Sequence, residues 1–309
     1  MKGSLFFAKI LLFGEYGIIK DSKGLSIPYN FFWGTLKCSE LETNTTLASH
    51  QILCDYADYL KTLSTDLFQL DWKRLQGDLD HNLYFDSSIP QGYGVGSSGA
   101  LVAAFYDSYA LFKISPGTSL TPKKIVHLKT IFAAMESYFH GQSSGLDPLN
   151  SYLSSPLLIH SKDKIETTGL PKQKTQGKGA VFLLDTGSYG ETGQMVSIFM
   201  EKMKEEGFSK MMREEFTQFT DRCVESFLGG NIKHLFANMK SFSALVFKYF
   251  KPMIPEELYP IWKRGFETNT YYFKLCGSGG GGYILGFTQD LVVAQKSLEG
   301  YPLEVVYQF

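Results

Sequence analysis

The sequence predicts an α+β fold, in which helices and strands are mixed without the regular alternation of a parallel α/β protein. The best-marked helix follows Thr121, which can act as its N-cap, while Pro122 suits its first turn and Gly141 can end it. Apolar segments near both ends of the chain, FFAKILLFGEYGII at 6–19 and LEVVYQF at 303–309, are typical of buried strands. Both patterns occur in one chain, which favours the α+β class.

The other elements are predicted from apolar spacing and from the positions of glycine and proline. A polar, lysine-rich segment at 161–179 predicts a loop or hairpin at the boundary between two domains, 1–179 and 180–309. A glycine-rich turn at 277–282 is predicted to join two strands. The remaining predictions are a strand at 31–41, helices at 47–63 and 97–112, a strand at 180–188, helical segments up to about 270 and a helix at 289–299.

Composition and charge narrow the classes of partner. The 309 residues are 44% hydrophobic and 20% charged, and the formal net charge is −1. A general nucleic-acid binder needs an excess of Lys and Arg, so nucleic acid is not expected as a partner. The chain has no apolar run of about 18 residues, so no membrane span is predicted. We expect a small-molecule substrate and leave a homodimer open.

Cysteine usage indicates the compartment. The four cysteines lie far apart and form no CxxC pair, which favours neither a disulfide framework nor a zinc site. Such spacing suits a reducing compartment, so the sequence predicts a cytoplasmic protein. The four residues are Cys38, Cys54, Cys223 and Cys276.

The segment PQGYGVGSSGALVAAF at 90–105 is rich in glycine and serine, and a predicted helix follows it at once. Glycines let a ligand approach the main chain, and the amides at a helix N-terminus attract anions. A tight turn alone requires fewer small residues in a row. We therefore predict a phosphate-binding loop made of Gly92, Gly94, Val95, Gly96, Ser97, Ser98, Gly99 and Ala100.

Other glycine motifs fit this loop less well. Gly94, Gly96 and Gly99 match the dinucleotide fingerprint, but no clear apolar strand leads directly into the first of them. No strand ending in an acid follows about twenty residues later, as that fingerprint requires. The loop also contains neither a Walker A sequence nor the Gly-x-Ser-x-Gly elbow of hydrolases. It therefore points to a phosphate site of another type.

Three separated segments resemble the three motifs of the GHMP kinases, which include galactokinase, homoserine kinase, mevalonate kinase and phosphomevalonate kinase. They are AKILLFGEYGII at 8–19, PQGYGVGSSGAL at 90–101 and KLCGSGGGGYILGF at 274–287, in the order of the family. The resemblance covers nearly the whole chain. It implies a two-domain GHMP kinase fold, with an N-terminal domain like domain 2 of ribosomal protein S5 and a ferredoxin-like C-terminal domain.

A fourth segment, AMESYFHGQSSGLDPLNSYL at 134–153, resembles the corresponding segment of mevalonate kinases. The resemblance implies that Ser98 and Glu136 hold Mg²⁺ and that ATP is the phosphoryl donor. Phosphoryl transfer in general needs a phosphate cradle and a metal held by one or two protein oxygens. His140, in the same segment, is expected to be structural.

The resemblance also implies a catalytic pair. Asp147 corresponds to the catalytic acid or base of the family, and Lys9 is implied to lie beside it and the accepting hydroxyl. Lys9 interrupts the apolar segment FFAKILLF, where a buried charge is costly unless it has a partner. A carboxylate partner for this lysine is therefore expected.

The acceptor is the most open part of the prediction. Mevalonate kinases usually carry His after the Glu of the first motif, whereas this chain has Tyr16 after Glu15, as phosphomevalonate kinases do. The predicted reaction transfers the γ-phosphoryl group of ATP to a hydroxyl, and mevalonate is the expected acceptor. Phosphomevalonate, a sugar, and a nucleotide-binding regulatory role without catalysis stay open. The implied substrate contacts are Glu15, Tyr16, Gly279 and Gly280.

Overall fold

Two long strands, β1 (Phe6–Phe13) and β2 (Gly24–Cys38), each contribute residues to both of the compact units into which the chain packs. The structure is a computed structural model that describes residues 4–39, 43–117, 120–174 and 176–309. Unit 1 comprises the chain up to Lys9 together with 27–90 and 96–155; unit 2 comprises 10–26, 91–95 and 156–309. The predicted division into domains 1–179 and 180–309 stays a prediction.

Unit 1 consists of helices that pack on one another and on short strands. Its helices are α1 (Asn44–Lys61), α2 (Trp72–Leu79), α3 (Ser97–Tyr109), α4 (Pro122–His140) and α5 (Leu146–Leu153). Besides its parts of β1 and β2, it contains β3 (Gln69–Leu70), β4 (Leu83–Ser87) and β5 (Ala110–Leu111). β4 pairs antiparallel with the end of β2, and β3 pairs antiparallel with β5.

Helix α3 lies in the core of unit 1. Residues 99–106 and Tyr109 of this helix are all buried, and α4 and α5 pack against it. A helix that is apolar on every side needs neighbours on every side. The approach of α5 depends on Gly99, because a Cβ there would lie 2.7 Å from the carbonyl carbon of Asp147.

Unit 2 begins with the second half of β1 and a 3₁₀ turn at Gly17–Lys20, and it includes the start of β2. β6 (Leu157–Ser161) pairs with that part of β2, and β7 (Lys164–Thr167) pairs with β6. The rest of the unit contains β8 (Ala180–Asp185), α6 (Thr192–Lys202), α7 (Glu206–Met211), a π-helical turn (Met212–Phe216), α8 (Thr217–Leu228), α9 (Ile232–Tyr249), 3₁₀ turns (Lys251–Met253 and Glu256–Leu258), α10 (Tyr259–Thr268), β9 (Tyr272–Leu275), β10 (Tyr283–Thr288), α11 (Leu291–Ser297) and β11 (Leu303–Gln308).

The last four strands form one antiparallel sheet in the order β11-β8-β10-β9. If these four strands are renumbered 1 to 4 in chain order, their order across the sheet is 4-1-3-2. Helices follow the first of them and precede the last. That is the β-α-β-β-α-β arrangement of ferredoxin-like proteins. The ferredoxin-like prediction and the α+β class are therefore confirmed.

The best-marked helix forms as the sequence predicts. The hydroxyl of Thr121 accepts a hydrogen bond from the amide of Lys124, proline occupies the first turn of α4, and Gly141 ends the helix with a φ of 71°. The sequence analysis missed α2, α5 and β4. β4 has only five residues, LYFDS, and the strand owes its position to β2, since the ring of Phe85 lies over Gly34, where a Cβ would be 2.2 Å from Cζ.

Among the described residues, no helix has both the length and the apolar character needed to cross a membrane. The predicted cytoplasmic location stays a prediction.

Candidate active site

The glycine-rich loop ends at Gly96, which is the N-cap of α3 and has a φ of 81°. Gly92 and Gly94 also have positive φ values, of 76° and 77°, which a side chain would disfavour. Ser97 and Ser98 then occupy the first turn of α3. Main-chain amides and two hydroxyls therefore stand together where the helix dipole attracts an anion.

Lys9 and Asp147 meet beside this helix end. The Nζ atom of Lys9 lies 3.0 Å from Oδ1 of Asp147, and the exposed fractions of the two side chains are 4% and 36%. Gly96 touches the pair, because a Cβ there would lie 2.9 Å from Cγ of Lys9 and 3.5 Å from Oδ2 of Asp147. An ammonium group and a partly exposed carboxylate thus adjoin the N-terminus of α3.

Close helix packing brings Asp147 to this point. Gly145 is the N-cap of α5 with a φ of 72°, so Asp147 falls in the first turn of that helix. A Cβ at Gly145 would lie 2.2 Å from the carbonyl oxygen of Lys129, so only glycine lets α5 begin this close to α4. At its other end, the Ser151 hydroxyl donates a hydrogen bond of 2.8 Å to the carbonyl of Phe7 in β1.

A second carboxylate, Glu136 of α4, is held by serine hydroxyls. Ser98 donates to Oε1 of Glu136 at 3.0 Å, and Ser143 donates to Oε2. Nε2 of His140 also lies 3.0 Å from Oγ of Ser98. The side chain of Glu136 is almost fully buried, at 3% exposure. Its two oxygens are thereby aimed by residues from α3 and from the loop before α5.

Burial dominates the electrostatics of this cluster. Burial raises the pKa of Glu136 to about 8, and the negative charge of Asp147 acts in the same direction. The hydrogen bonds from Ser143 and Ser98 lower this pKa and so oppose the effect of burial. Burial also lowers the pKa of His140, against a smaller opposing effect of Asp147. The interior of unit 1 therefore brings two carboxylates close together with Lys9 next to one of them.

These residues fit a magnesium ion. A buried carboxylate whose pKa is raised by burial and a neighbouring negative charge gains from a cation, and Mg²⁺ prefers hydroxyl and carboxylate oxygens such as those of Ser98 and Glu136. The described residues hold no cluster of three or more His, Cys, Asp or Glu side chains that could bind a metal alone. Mg²⁺ commonly takes one or two protein ligands and completes its shell with phosphate oxygens and water.

In unit 2, the first part of the glycine-rich loop packs against the glycine turn between β9 and β10. A Cβ at Gly94 would lie 2.4 Å from the carbonyl oxygen of Cys276, and one at Gly282 would lie 2.4 Å from Cα of Tyr93. Val95 is fully buried, and the phosphate contact predicted for it stays a prediction. Ala100, in unit 1, is also fully buried, and its amide already donates to the carbonyl of Gly96 at 3.1 Å, so the phosphate contact predicted for it stays a prediction as well.

Gly279 and Gly280 lie in that turn, with φ values of 78° and 80°. The amide of Gly280 donates to the carbonyl of Met253 at 2.7 Å, and a Cβ at Gly280 would lie 2.7 Å from Sδ of Met195. The turn is therefore packed tightly against Met253 and Met195. The substrate contacts predicted for these two glycines stay predictions.

Glu15 and Tyr16 are both engaged within unit 2. Glu15 forms a buried ion pair with Lys274, and the hydroxyl of Tyr16 donates to the carbonyl of Ser278 at 2.7 Å. Tyr16 has a φ of 58° and stacks on Phe199, with ring centroids 4.4 Å apart. The predicted role of Glu15 and Tyr16 in substrate binding stays a prediction; in this structure Glu15 pairs with a residue of β9, and Tyr16 contacts the glycine turn.

The structure thus brings Lys9, Asp147, Ser98 and Glu136 together within unit 1. Sequence reasoning missed Ser143, which clamps Glu136, and it gave no chemistry to His140. The signal for Ser143 was its place beside Ser144 in HGQSSG, where two serines precede the glycine that starts α5. It also missed Lys274, the first residue of the third motif-like segment.

A comparison with protein-family models finds a match to part of the chain. Residues 60–154 match the family model of the GHMP kinases N terminal domain. The match and the fold confirm the resemblance to the GHMP kinase superfamily that the sequence predicts. No curated protein sequence matches the chain.

Solved structures then show which proteins the chain resembles in fold. Mevalonate kinase from L. major, in complex with R-mevalonate, has a TM-score of 0.62 at 15% identity over 100% of this chain and 96% of that one. Phosphomevalonate kinase from Streptococcus pneumoniae, in complex with phosphomevalonate and AMPPNP, has a TM-score of 0.63 at 12% identity over 99% and 100%. Galactokinase from Lactococcus lactis, complexed with galactose, has 0.62 at 13% over 98% and 93%. The chain therefore has the GHMP kinase fold.

Proposed function

We propose that the chain is an ATP- and Mg²⁺-dependent kinase that transfers the γ-phosphoryl group to a hydroxyl, with mevalonate as the acceptor. The observation that carries this proposal is the pair of Lys9 and Asp147, 3.0 Å apart and in contact with Gly96 at the N-terminus of α3. Phosphoryl transfer needs this combination of an anion-binding helix end, a cation and a base. The GHMP kinase domain at residues 60–154 supports the same reaction class.

Asp147 has the geometry of a general base. Its Oδ1 contacts Lys9, and 36% of the side chain is exposed, so the carboxylate can also reach a hydroxyl. As that hydroxyl attacks the γ-phosphorus, its proton would pass to Asp147, and the bond between the γ-phosphorus and the β–γ bridging oxygen would break to release ADP. A positioned base contributes about 10²–10⁴-fold to such a step.

Lys9 and the start of α3 would stabilise the negative charge of the phosphates. The ammonium of Lys9 would stabilise the negative charge that develops on the transferred group. The amides and hydroxyls of Ser97 and Ser98 would bind phosphate oxygens at the positive end of the helix dipole. Ser98 and Glu136 would hold Mg²⁺, which when bound neutralises charge on the β- and γ-phosphates.

A second acceptor, phosphomevalonate, is favoured by one observation. Tyr16 follows Glu15 where mevalonate kinases usually have His, and Tyr at this position resembles phosphomevalonate kinases. The fold likeness to the Streptococcus pneumoniae enzyme is as strong as that to the mevalonate kinase. A sugar acceptor has the support of the galactokinase likeness alone.

A coupled assay of ADP release, with mevalonate, phosphomevalonate and galactose as acceptors, tests the proposal. We expect turnover that requires Mg²⁺ and is fastest, in kcat/KM, with mevalonate. Faster turnover with phosphomevalonate would keep the reaction class and change the acceptor. Binding of AMPPNP without turnover on any acceptor would contradict the kinase and favour a nucleotide-binding regulator.

A further inference from the structure

His140 takes no part in the reaction just described, yet it contacts a residue that does. Its Nε2 lies 3.0 Å from Oγ of Ser98, and the same Oγ lies 3.0 Å from Oε1 of Glu136. Glu136 and His140 are four residues apart on α4, so both side chains project from one face of that helix. One serine hydroxyl therefore stands between a carboxylate and an imidazole.

A hydroxyl has a single proton and two lone pairs, so it can donate to only one of its neighbours at a time. The geometry here directs the proton of Ser98 to Glu136. That arrangement is incompatible with both oxygens serving a cation, because the proton would lie between the two ligand atoms. Before Ser98 can offer a lone pair beside Glu136, its proton must turn to another acceptor.

The structure provides that acceptor. Nε2 of His140 is at hydrogen-bond distance from Oγ of Ser98, on a side chain that α4 presents at its last residue, directly before the helix ends at Gly141. A ring with its proton on Nδ1 leaves Nε2 free to accept. Residues that hydrogen-bond to the ligands of a metal site commonly orient those ligands in this way.

We propose that His140 is a positioning residue of the metal site: its Nε2 accepts the hydroxyl proton of Ser98, so that a lone pair of Ser98 faces the metal beside Glu136. This inference rests on the proposed function, since it takes Ser98 and Glu136 as the ligands. It adds a residue that acts through Ser98 and touches neither the metal nor the substrate.

Binding of Mn²⁺, followed by electron paramagnetic resonance with AMPPNP present, tests the inference without turnover. We expect His140→Ala to raise the Kd for Mn²⁺ by about tenfold, as loss of a ligand-orienting partner does. His140→Gln, whose amide can reach the position of Nε2, should recover most of that loss. His127→Ala is the matched control, because His127 is an exposed residue of the same helix.

The outcomes separate this inference from the proposed function. AMPPNP binding in EDTA should be the same in all variants, since His140 acts only through the metal ligand. An unchanged Kd for Mn²⁺ in His140→Ala, an equal loss in His140→Gln, or failure of the unmodified protein to hold Mn²⁺ with AMPPNP would overturn the inference. Absence of turnover on every acceptor, with the tenfold difference in Kd present, would contradict the proposed function and support the inference.

Discussion

Two lysine–carboxylate pairs, one in each unit, show how surroundings decide what an ion pair can do. In unit 1, Lys9 pairs with Asp147, whose side chain is 36% exposed. In unit 2, Lys274 pairs with Glu15, and those side chains are 1% and 5% exposed. The chemistry of the two pairs is the same, but only the first has a carboxylate that a substrate can reach.

The buried pair also involves the main chain. Besides Glu15, the ammonium of Lys274 donates to the carbonyl of Leu275 at 2.7 Å and to that of Leu11 at 3.4 Å. A lysine has three donors, so this set uses all of them. The comparison teaches that the accessibility of the carboxylate, rather than the presence of an ion pair, marks the site of chemistry.

The largest effect is expected from Asp147→Asn, which keeps the shape of the side chain and removes the base. We expect kcat to fall by up to about 10⁴-fold, the upper range for loss of a general base. AMPPNP binding should be retained, because the start of α3 is unchanged. Steady-state kinetics and a nucleotide titration check this, and near-normal kcat would remove Asp147 from the proposed mechanism.

Glu15→Gln breaks the buried pair and should act on stability. It leaves the ammonium of Lys274 buried without its counter-charge, a change that costs about 3–5 kcal/mol of unfolding free energy. Urea unfolding measures the loss. Glu15→Gln combined with Lys274→Met should restore part of it, because no buried charge then remains.

An exposed ion pair supplies the control for this prediction. Lys23 pairs with Glu225, whose side chain is 61% exposed. Glu225→Gln should cost less than about 1 kcal/mol, as exposed pairs do. If Glu15→Gln and Glu225→Gln cost the same, burial would not distinguish these pairs and the comparison would fail.

Glu136 sharpens the comparison, since it is a buried carboxylate held by serine hydroxyls, and its pKa is raised to about 8. Between the unfolded pKa of about 4.3 and the folded value, the folded protein binds one more proton, so stability falls as pH rises. Between pH 6 and pH 7 we expect a fall of up to about 1.4 kcal/mol in metal-free protein. Urea unfolding at the two pH values in EDTA measures it.

The variant Glu136→Gln is the control for this pH effect. Its side chain cannot titrate, so the fall assigned to Glu136 should disappear while the rest of the pH dependence persists. The absence of any Glu136-dependent change between pH 6 and pH 7 would show that its pKa is not raised on folding, because a carboxyl that is ionised in both states contributes no pH dependence there. The carboxylate would then be an anion in the folded protein even without a metal.

Much of the fold and of unit 1's site follows from sequence, because local patterns determine it. The glycines around Ser98 predict the loop, and the cap at Thr121 with the stop at Gly141 predicts α4 almost to the residue. Lys9 stood out since a charge in an apolar strand needs a partner. The identity of that partner came from the resemblance, which pointed to Asp147.

What sequence could not give depends on contacts between distant elements. Nothing local distinguishes Ser143 from Ser144, and only the folding of α4 against α5 brings Ser143 to Glu136. Lys274 resembles any lysine in a strand until β9 is placed against Glu15. The hydrogen bond from Tyr16 to Ser278 is likewise a product of the fold, across 262 positions of sequence.

Loss of that hydrogen bond is expected to have the smallest effect on stability. Tyr16→Phe removes a hydroxyl that donates to the carbonyl of Ser278 and keeps the ring that stacks on Phe199. Loss of one such bond costs about 1 kcal/mol, so urea unfolding should show a decrease of that size. Tyr189→Phe, at a side chain 76% exposed, is the matched control and should leave stability unchanged. Equal stabilities of Tyr16→Phe and the unmodified protein would mean that the hydroxyl does not anchor the glycine turn, and Tyr16 would then be free for the predicted contact with the acceptor.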